Sequence, residues 1–558
     1  MKPESQEPFV RPQALEHLLA PLRAGSALSP HLLLVGKHGV GKAALLQALC
    51  VAVREDPLLA AGLCPLYIPG VCYHLTTLEE LWEELCTQLI RQGGHEGLLR
   101  VLEGLHGEAK LEQLLDQLER RGQRLLLGLE RLDLLLEEQL SSDAQAGLWR
   151  LLSQEKRLIW VATAERRLET QVGDESFAPL LRVHPVQGLS LSALKPFWHE
   201  LSGQTPTEGA LRPLQLLTEG KPGLLKPLAQ EARRAGAQDS HQHLLTLAQL
   251  LRDRCAFALE TLPGQERKIF LALARLWRPG STRDIAELTR FSLNEVSVLL
   301  GRLEKRHRVE VVRLEGRKKW YQLQDRPLQL ALLVRPPGPE FARLERLLRF
   351  MDAFYGGEDG LTEPTGLLRE KLEAQEEALK LGLKTREGAG ELLRLVEVQL
   401  RLGKGKGALK RLSRLWELRA GLSSEQGLQL LLYLLGLRRG RGLLSSVLAA
   451  ARAGKLGQPV ETLRATMLER FTHARTEESC WRLQLGLRLH AGLHLLSVGW
   501  VEECQTLVWG DLTLEPLEGM LRELQGSLGW IPHEVLEVAR DLRREVEGCR
   551  RQLLPGLL

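Results

Sequence analysis

The stretch Leu32-Leu33-Leu34-Val35-Gly36-Lys37-His38-Gly39-Val40-Gly41-Lys42-Ala43-Ala44-Leu45-Leu46 constrains the fold of this chain more than any other. Four apolar residues read as a buried strand, Gly36-x4-Gly41-Lys42 as a tight turn, and Ala43–Val53 as a helix. In that order they make a loop whose backbone N–H groups converge on one spot, where the helix dipole also favours negative charge. Lys42 adds a cation there. Gly36, Gly39, Val40, Gly41, Lys42, Ala43 and Ala44 therefore predict a cradle for the phosphates of a nucleotide, ATP or ADP. The plainer alternative is a glycine-rich strand-to-helix turn with no ligand. Ala43 stands where such loops carry a hydroxyl for Mg²⁺, so metal binding is expected to be weakened.

A chain of 558 residues is too long for one hydrophobic core, so the architecture must be modular. From Leu32 to about Gln187, short apolar runs alternate with amphipathic helices. Four runs read as strands, Leu32–Val35, Pro65–Ile68, Leu125–Leu129 and Leu158–Ala162, with a candidate fifth at Val183–Val186. Strands separated by helices predict a parallel sheet covered on both faces. Between the second and third strands, Thr77–Leu85 has helical period, with Thr76 or Thr77 as its N-cap. Aromatics make up only 5% of the chain while Leu dominates, which suits stacked helices in the remainder.

The expected division is an α/β domain at 1–189, a small helical domain at 190–262, a compact unit at 263–335 and an all-α region at 336–558. The second contains a long helix near His243–Thr261. The last follows the Pro336-Pro337-Gly338-Pro339 linker, and helices such as Leu367–Leu383 and Ala389–Leu402 give it the look of stacked antiparallel pairs, a solenoid-like arrangement.

Charge is nearly balanced, 75 basic against 70 acidic side chains, so any nucleic-acid surface must be local. The eight cysteines lie far apart with no CxxC pair and no signal peptide in front, which predicts a reduced, metal-free, cytoplasmic protein. No apolar run approaches the ~20 residues of a membrane helix, so no membrane partner is expected. His241 and His243, two apart on a helix, point to different faces and do not suggest a shared metal. Trp481, Trp500, Trp509 and Trp530 read as fillers of helix–helix cores. The basic clusters Lys404–Lys410 and Arg438-Arg439-Gly440-Arg441 read as solvated helix faces.

A nucleotide site of this kind needs an acid at the end of a later strand. Leu125–Leu129 runs into Glu130-Arg131-Leu132-Asp133, where related enzymes have Asp-Glu. Glu130 retains a carboxylate able to reach a metal-bound water, but Arg131 cannot act as a base at physiological pH. A solvated helix start remains the alternative for Glu130 and Asp133.

The order of parts resembles the AAA+ and STAND superfamily of P-loop ATPases, especially the prokaryotic Orc-like and archaeal-ATPase branch. Pro8-Phe9-Val10-Arg11 resembles the family's entry motif, Leu158–Ala164 its sensor-1 strand with Thr163 at the polar position, and Leu217–Gly223 the Gly-Asn-Pro-Arg segment of its helical lid. Pro222 matches that segment's proline, and Gly223 stands where the family often has a sensor-2 arginine. The resemblance implies ATP or ADP held between sheet and lid, possible homo-oligomerisation, and catalytic roles for Glu130 and Thr163. Ala43, Arg131 and Gly223 each lack a group used for metal binding, water activation or γ-phosphate sensing, which predicts weak or absent hydrolysis.

Gln265–Leu276, Thr282–Thr289 and Ser292–His307 read as three helices, followed by strands Val309–Leu314 and Lys319–Gln324. Ser292 and Glu295 form a capping box at the start of the third helix. This order resembles a winged helix. In such a unit Asn294 is placed to read bases of double-stranded DNA, and Arg302, Arg317, Lys318 and Lys319 to contact its phosphates. Glu295 would repel phosphate, and in the STAND branch the same unit commonly regulates the ATPase, so both readings stand. The all-α region is the expected docking surface for a protein partner.

Overall fold

In the computed structural model the described residues are 11–23, 31–70, 72, 74–92, 101–102, 104–166, 168, 171–172, 175–235, 240–315, 318–334, 338–355, 367–385, 388–419, 422–437, 441–452, 481–497, 501–508, 512–524 and 531–553. They form two compact units, Met1–Leu201 with Gly220–Pro227, and Ser202–Glu219 with Leu228–Leu558.

The first unit is built on five strands, β1 (His31–Val35), β2 (Leu63–Ile68), β3 (Arg124–Leu129), β4 (Leu158–Ala164) and β5 (Leu181–Pro185), in the order β2-β3-β4-β1-β5. All four pairings are parallel. Successive side chains of a strand point to opposite faces, so each apolar run feeds two cores. Leu33, Leu125, Leu127, Leu129, Trp160 and Ala162 face helices Leu78–Gln92, Gly107–Arg120 and Ser142–Gln154. Leu32, Leu34, Leu126, Ile159 and Val161 face helices Pro12–Arg23, Lys42–Glu55 and Pro57–Gly62. The expected parallel sheet with both faces covered is present, and its fifth strand is Leu181–Pro185 rather than Val183–Val186.

Local chemistry sets several boundaries. Glu80 N–H donates to Thr77 Oγ1 at 3.2 Å, and the Glu80 carboxylate accepts from Thr77 N–H at 3.0 Å, a reciprocal cap that starts Leu78–Gln92. His31 lies buried between strands. Its Nδ1 accepts from Trp160 N–H at 3.0 Å, so the proton sits on Nε2, which donates to the Leu152 carbonyl at 2.9 Å. Burial pushes the His31 pKa below its ordinary value.

Strand order positions the site. With β4 between β1 and β3, the segments leaving the carboxyl ends of these three strands meet at one edge of the sheet, the usual ligand edge of open α/β sheets. Gly128 brings the helix after β1 close to β3. A Cβ at this position would lie 3.1 Å from Cys50 Sγ and 3.2 Å from Leu46 Cδ1.

In the second unit the described residues are mostly helical. Its sheet has three antiparallel strands, β6 (Gly280–Ser281), β7 (Val309–Glu315) and β8 (Lys318–Leu323), ordered β6-β8-β7. Helices Gly264–Leu276, Thr282–Thr289 and Leu293–Lys305 close over it through Ile269, Phe270, Ile285, Val296, Leu300 and Tyr321. Strand β6 escapes a reading by run length because it is two residues long; Gly280 admits Leu276 against its backbone, where a Cβ would clash at 2.6 Å.

The single helix expected near His243–Thr261 is two, Ser240–Leu250 and Arg252–Glu260. Buried Leu251 joins them with φ −93° and ψ 4°. Farther on, Leu367–Thr385, Ala389–Arg401, Gly405–Glu417 and Ser424–Leu435 pack each on the next. Lys404 in the first basic cluster donates to Glu376 at 2.6 Å, so part of that cluster has a structural partner. Deep inside, Arg326 pairs with Glu534 at 2.9 Å, which also accepts from Trp277 Nε1 at 3.0 Å. Arg438-Arg439-Gly440, Trp500, Trp509 and Trp530 lie outside the described residues, as do Pro8-Phe9-Val10, Arg317 and Pro336-Pro337. Among the described residues no helix is long and apolar enough to cross a membrane.

Candidate functional site

The loop after β1 turns through two left-handed glycines, Gly39 (φ 81°) and Gly41 (φ 92°), a conformation that costs other residues a Cβ clash. Gly36 has a different duty. A Cβ on it would fall 2.1 Å from the Val186 carbonyl oxygen, so only glycine lets β1 leave the sheet beside the end of β5. Val40 is buried in the core beneath the loop, and its carbonyl accepts from Arg11 Nη2 at 2.6 Å while Arg11 Nη1 holds the Gln187 carbonyl at 2.5 Å. The loop is thus clamped from the side.

Lys42 opens the following helix, buried, with Nζ donating to the carbonyls of Gly36 at 2.6 Å and Lys37 at 3.0 Å. Burial lowers its pKa. The charges of Glu165 and Asp133 oppose that shift, Arg131 adds to it, and Glu130 opposes it again. One cavity of about 580 Å³ within this unit is lined by Gly39, Gly41, Lys42, Ala43 and Ala44, by Glu130, Arg131, Thr163 and Glu165, and by Pro222, Gly223 and Lys226. Arg11, His38, Gly70 and Phe197 complete much of its wall. Gly223 N–H donates to the Gly39 carbonyl at 3.2 Å, which fastens the 220–227 segment onto the loop.

The carboxyl ends of β3 and β4 carry the charged floor. Glu130 turns toward β2: it accepts from Tyr67 Oη and from Gly70 N–H at 3.1 Å, and Tyr67 in turn accepts from Gln47 Nε2 at 2.6 Å. Burial and the hydrogen bond to Glu130 raise the Tyr67 pKa, so the phenol keeps its proton. Arg131 adopts the left-handed region (φ 55°, ψ 48°), rare for a non-glycine residue. Buried Thr163 receives its N–H on Oγ1 at 3.0 Å, and Asp133 receives its Nε at 3.2 Å. Asp133 also accepts from Glu165 N–H at 3.1 Å. Burial alone would raise Glu165, but the hydrogen bond from His38 and the charges of Arg131, His38 and Lys42 bring its pKa down to about 2.

Of the residues expected at a nucleotide site, Gly39, Gly41, Lys42, Ala43, Ala44, Pro222, Glu130 and Thr163 line this one cavity. Gly36 and Val40 support the loop from beneath. Glu165, Lys226 and Phe197 did not stand out in the sequence, because nothing local marks them and only the folded unit brings them here, while His38 comes with the loop itself. Arg11 stood only inside a resembling motif.

The expected DNA-contact residues lie elsewhere. Asn294 and Arg302 are exposed on helix Leu293–Lys305, while Lys318 and Lys319 line a second cavity of about 490 Å³ together with Leu293, Ser297 and Tyr321. Several of these cations have partners: Lys318 sits 4.4 Å over the Trp320 ring, Lys319 lies 3.7 Å from Glu304, and Arg302 lies 4.0 Å from buried Glu266. Glu295 is engaged by Ser292 N–H at 2.8 Å in the expected capping box. His241 and His243 do not share a site; His241 lies 3.6 Å from Glu345 and His243 is buried.

The sequence matches the family described as AAA ATPase domain over residues 9–161. No curated protein matches it. Among solved structures the chain is similar to the Walker-type ATPase PABY2304 of Pyrococcus abyssi, at 18% identity and a TM-score of 0.44, covering 59% of this chain and 99% of that one. It is similar also to the ORC1 protein of Aeropyrum pernix in complex with DNA, at 18% identity and 0.35, covering 62% and 97%. A third is Cdc6p from Pyrobaculum aerophilum, at 16% identity and 0.31, covering 59% and 94%.

Proposed function

We propose that residues 9–161, which match the AAA ATPase domain family, act as such a domain, and that the 580 Å³ cavity binds ATP or ADP as a switching or structural ligand, with weak or absent hydrolysis. One observation carries this reading. The phosphate-loop glycines, Lys42 and the start of its helix open onto a single cavity, while the place of the water-activating acid is taken by Arg131. Backbone N–H groups at the turn and the helix terminus would receive phosphate oxygens, with Lys42 and Lys226 as flanking cations. A ligand that binds one conformation better than another shifts their populations without being cleaved.

Mg²⁺, which normally accompanies nucleotide in this family, does not fit the residues present. Ala43 offers no hydroxyl, and Glu130 is engaged by Tyr67 and Gly70.

The test is thermal unfolding with ADP, ATP or neither, for the wild type and Lys42→Ala. Ligand at a hundred times its Kd stabilises the native state by about 2.7 kcal/mol, a shift of several degrees. A shift present in the wild type and lost in Lys42→Ala is expected. No shift with either nucleotide would defeat the proposal.

A second reading concerns the unit of three helices and sheet β6-β8-β7, which we take as a winged helix. Exposed Asn294, Arg302, Lys305 and Arg306 on and beside its third helix favour contact with double-stranded DNA. DNA affinity that collapses as salt rises, and weakens further in Lys318→Ala with Lys319→Ala, is the expected result; no binding at low salt would exclude it. The helical region beyond is left for a protein partner, and self-association of the ATPase domain remains part of the same proposal.

A further inference from the structure

The misfit to Mg²⁺ is not merely a set of missing groups, because a cation has been put in their place. Arg131 lines the same cavity as Lys42, Ala43 and Ala44, with 37% of its side chain accessible. It is held there against its own backbone preference. Its left-handed φ of 55° is unfavourable for any residue with a Cβ. Three contacts hold the turn and its side chain: the Thr163 hydroxyl on its N–H, Asp133 at 3.2 Å from its Nε, and Glu165 at 3.8 Å from Nη1. The two acids are themselves tied together through Glu165 N–H and Asp133 Oδ2. Such a frame orients a guanidinium, and a guanidinium matches phosphate oxygens with paired donors.

Charge supports the same conclusion. The cavity lining carries four cationic side chains, Arg11, Lys42, Arg131 and Lys226, against two carboxylates, Glu130 and Glu165, with Asp133 behind Arg131 as a third acid. Of those carboxylates, Glu130 is turned toward Tyr67 and Gly70, and Glu165 toward His38 and Arg131. The surplus is positive, as an uncomplexed polyphosphate requires.

We infer that this site binds its nucleotide without a metal ion, the Arg131 guanidinium supplying the positive charge that Mg²⁺ supplies where a loop hydroxyl and a strand-end acid are available. The inference rests on the nucleotide reading above. It changes the expected ligand from a metal complex to free ADP or ATP.

Calorimetric titration of ADP and ATP into the full chain, in excess EDTA and in Mg²⁺, tests it with Arg131→Asn and Arg131→Lys alongside. Asparagine tolerates the left-handed turn while removing the charge, and lysine keeps the charge but not the paired donors. The wild type should bind in EDTA at least as tightly as in Mg²⁺. Arg131→Asn should lose roughly tenfold or more in EDTA, the range for a charge-assisted hydrogen bond, and Arg131→Lys should fall between. Unliganded melting of each variant shows whether it is folded; if Arg131→Asn is not, the wild-type comparison and Arg131→Lys decide. Wild-type affinity that drops tenfold or more on chelation, or Arg131→Asn binding as tightly as wild type in EDTA, overturns the inference and leaves the nucleotide site standing. Failure of either nucleotide to bind in both buffers overturns both.

Discussion

Thr163→Val removes one oxygen and almost no volume, and its consequence follows from the turn at Arg131. Thr163 is 2% exposed, and its Oγ1 accepts the Arg131 N–H at 3.0 Å. With valine there, that N–H faces an apolar wall, and an unsatisfied buried donor costs about 1–3 kcal/mol. The left-handed strain of about 1–2 kcal/mol at Arg131 then has less to hold it. If the turn opens locally, the free energy of opening falls by the same amount, which is a rise of roughly 5- to 150-fold in amide exchange. Hydrogen exchange followed on peptides spanning residues 129–135 reads this directly. Thr163→Ser restores the hydroxyl and should restore protection. Equal protection in the wild type and Thr163→Val, or equal loss in Thr163→Val and Thr163→Ser, would refute the assignment of Thr163 as the anchor of this turn.

Gly36→Ala should destabilise the first unit at or above the ~1–3 kcal/mol typical of overpacking, since the new Cβ meets backbone, the Val186 carbonyl, at 2.1 Å; a urea midpoint within error of wild type would contradict the geometry. Glu534→Gln leaves Arg326, 3% exposed, without its counter-charge, and should cost about 3–5 kcal/mol in denaturant unfolding; less than about 1 kcal/mol would mean the pair is not buried as described. Acidification from pH 6.5 to 5 should destabilise the chain. His494, buried and donating to the Leu435 carbonyl, has its pKa pushed down by burial to about 4, so the unfolded chain takes up a proton that the folded one does not. The unfolded state binds more protons in that window, so stability rises with pH and about 2 kcal/mol is lost by pH 5 from this residue, with His31 acting in the same direction. Glu165 and Glu376, both near 2, act only below the ordinary Glu range, so stability that is flat between pH 7 and 5 would count against the buried histidines.

What the sequence determined by itself is what depends on neighbours along the chain. The loop from Gly36 to Ala44 was legible because a left-handed glycine, a helix N-terminus and a lysine at fixed spacing have one geometric solution. The sheet strands were legible from run length and apolarity, and the Ser292–Glu295 cap from its spacing. The missing hydroxyl at Ala43 and the missing base at Arg131 could be read off as absences. The two-residue strand β6 and the break at Leu251 were not legible, since neither has enough length to leave a period.

Only the tertiary structure decided what stands in the place of the missing groups. Glu165, Lys226 and Arg11 reach the cavity from the end of β4, from the 220–227 segment and from the residue preceding the first helix, positions with no common pattern in sequence. The order β3-β4-β1 brings Arg131 beside Lys42, 89 positions earlier by their numbering, and turns a residue that reads as a lost base into an oriented cation. Strand order is set by the packing of two whole cores rather than by any short stretch, and for that reason the charge balance of the site exists only once the sheet is assembled.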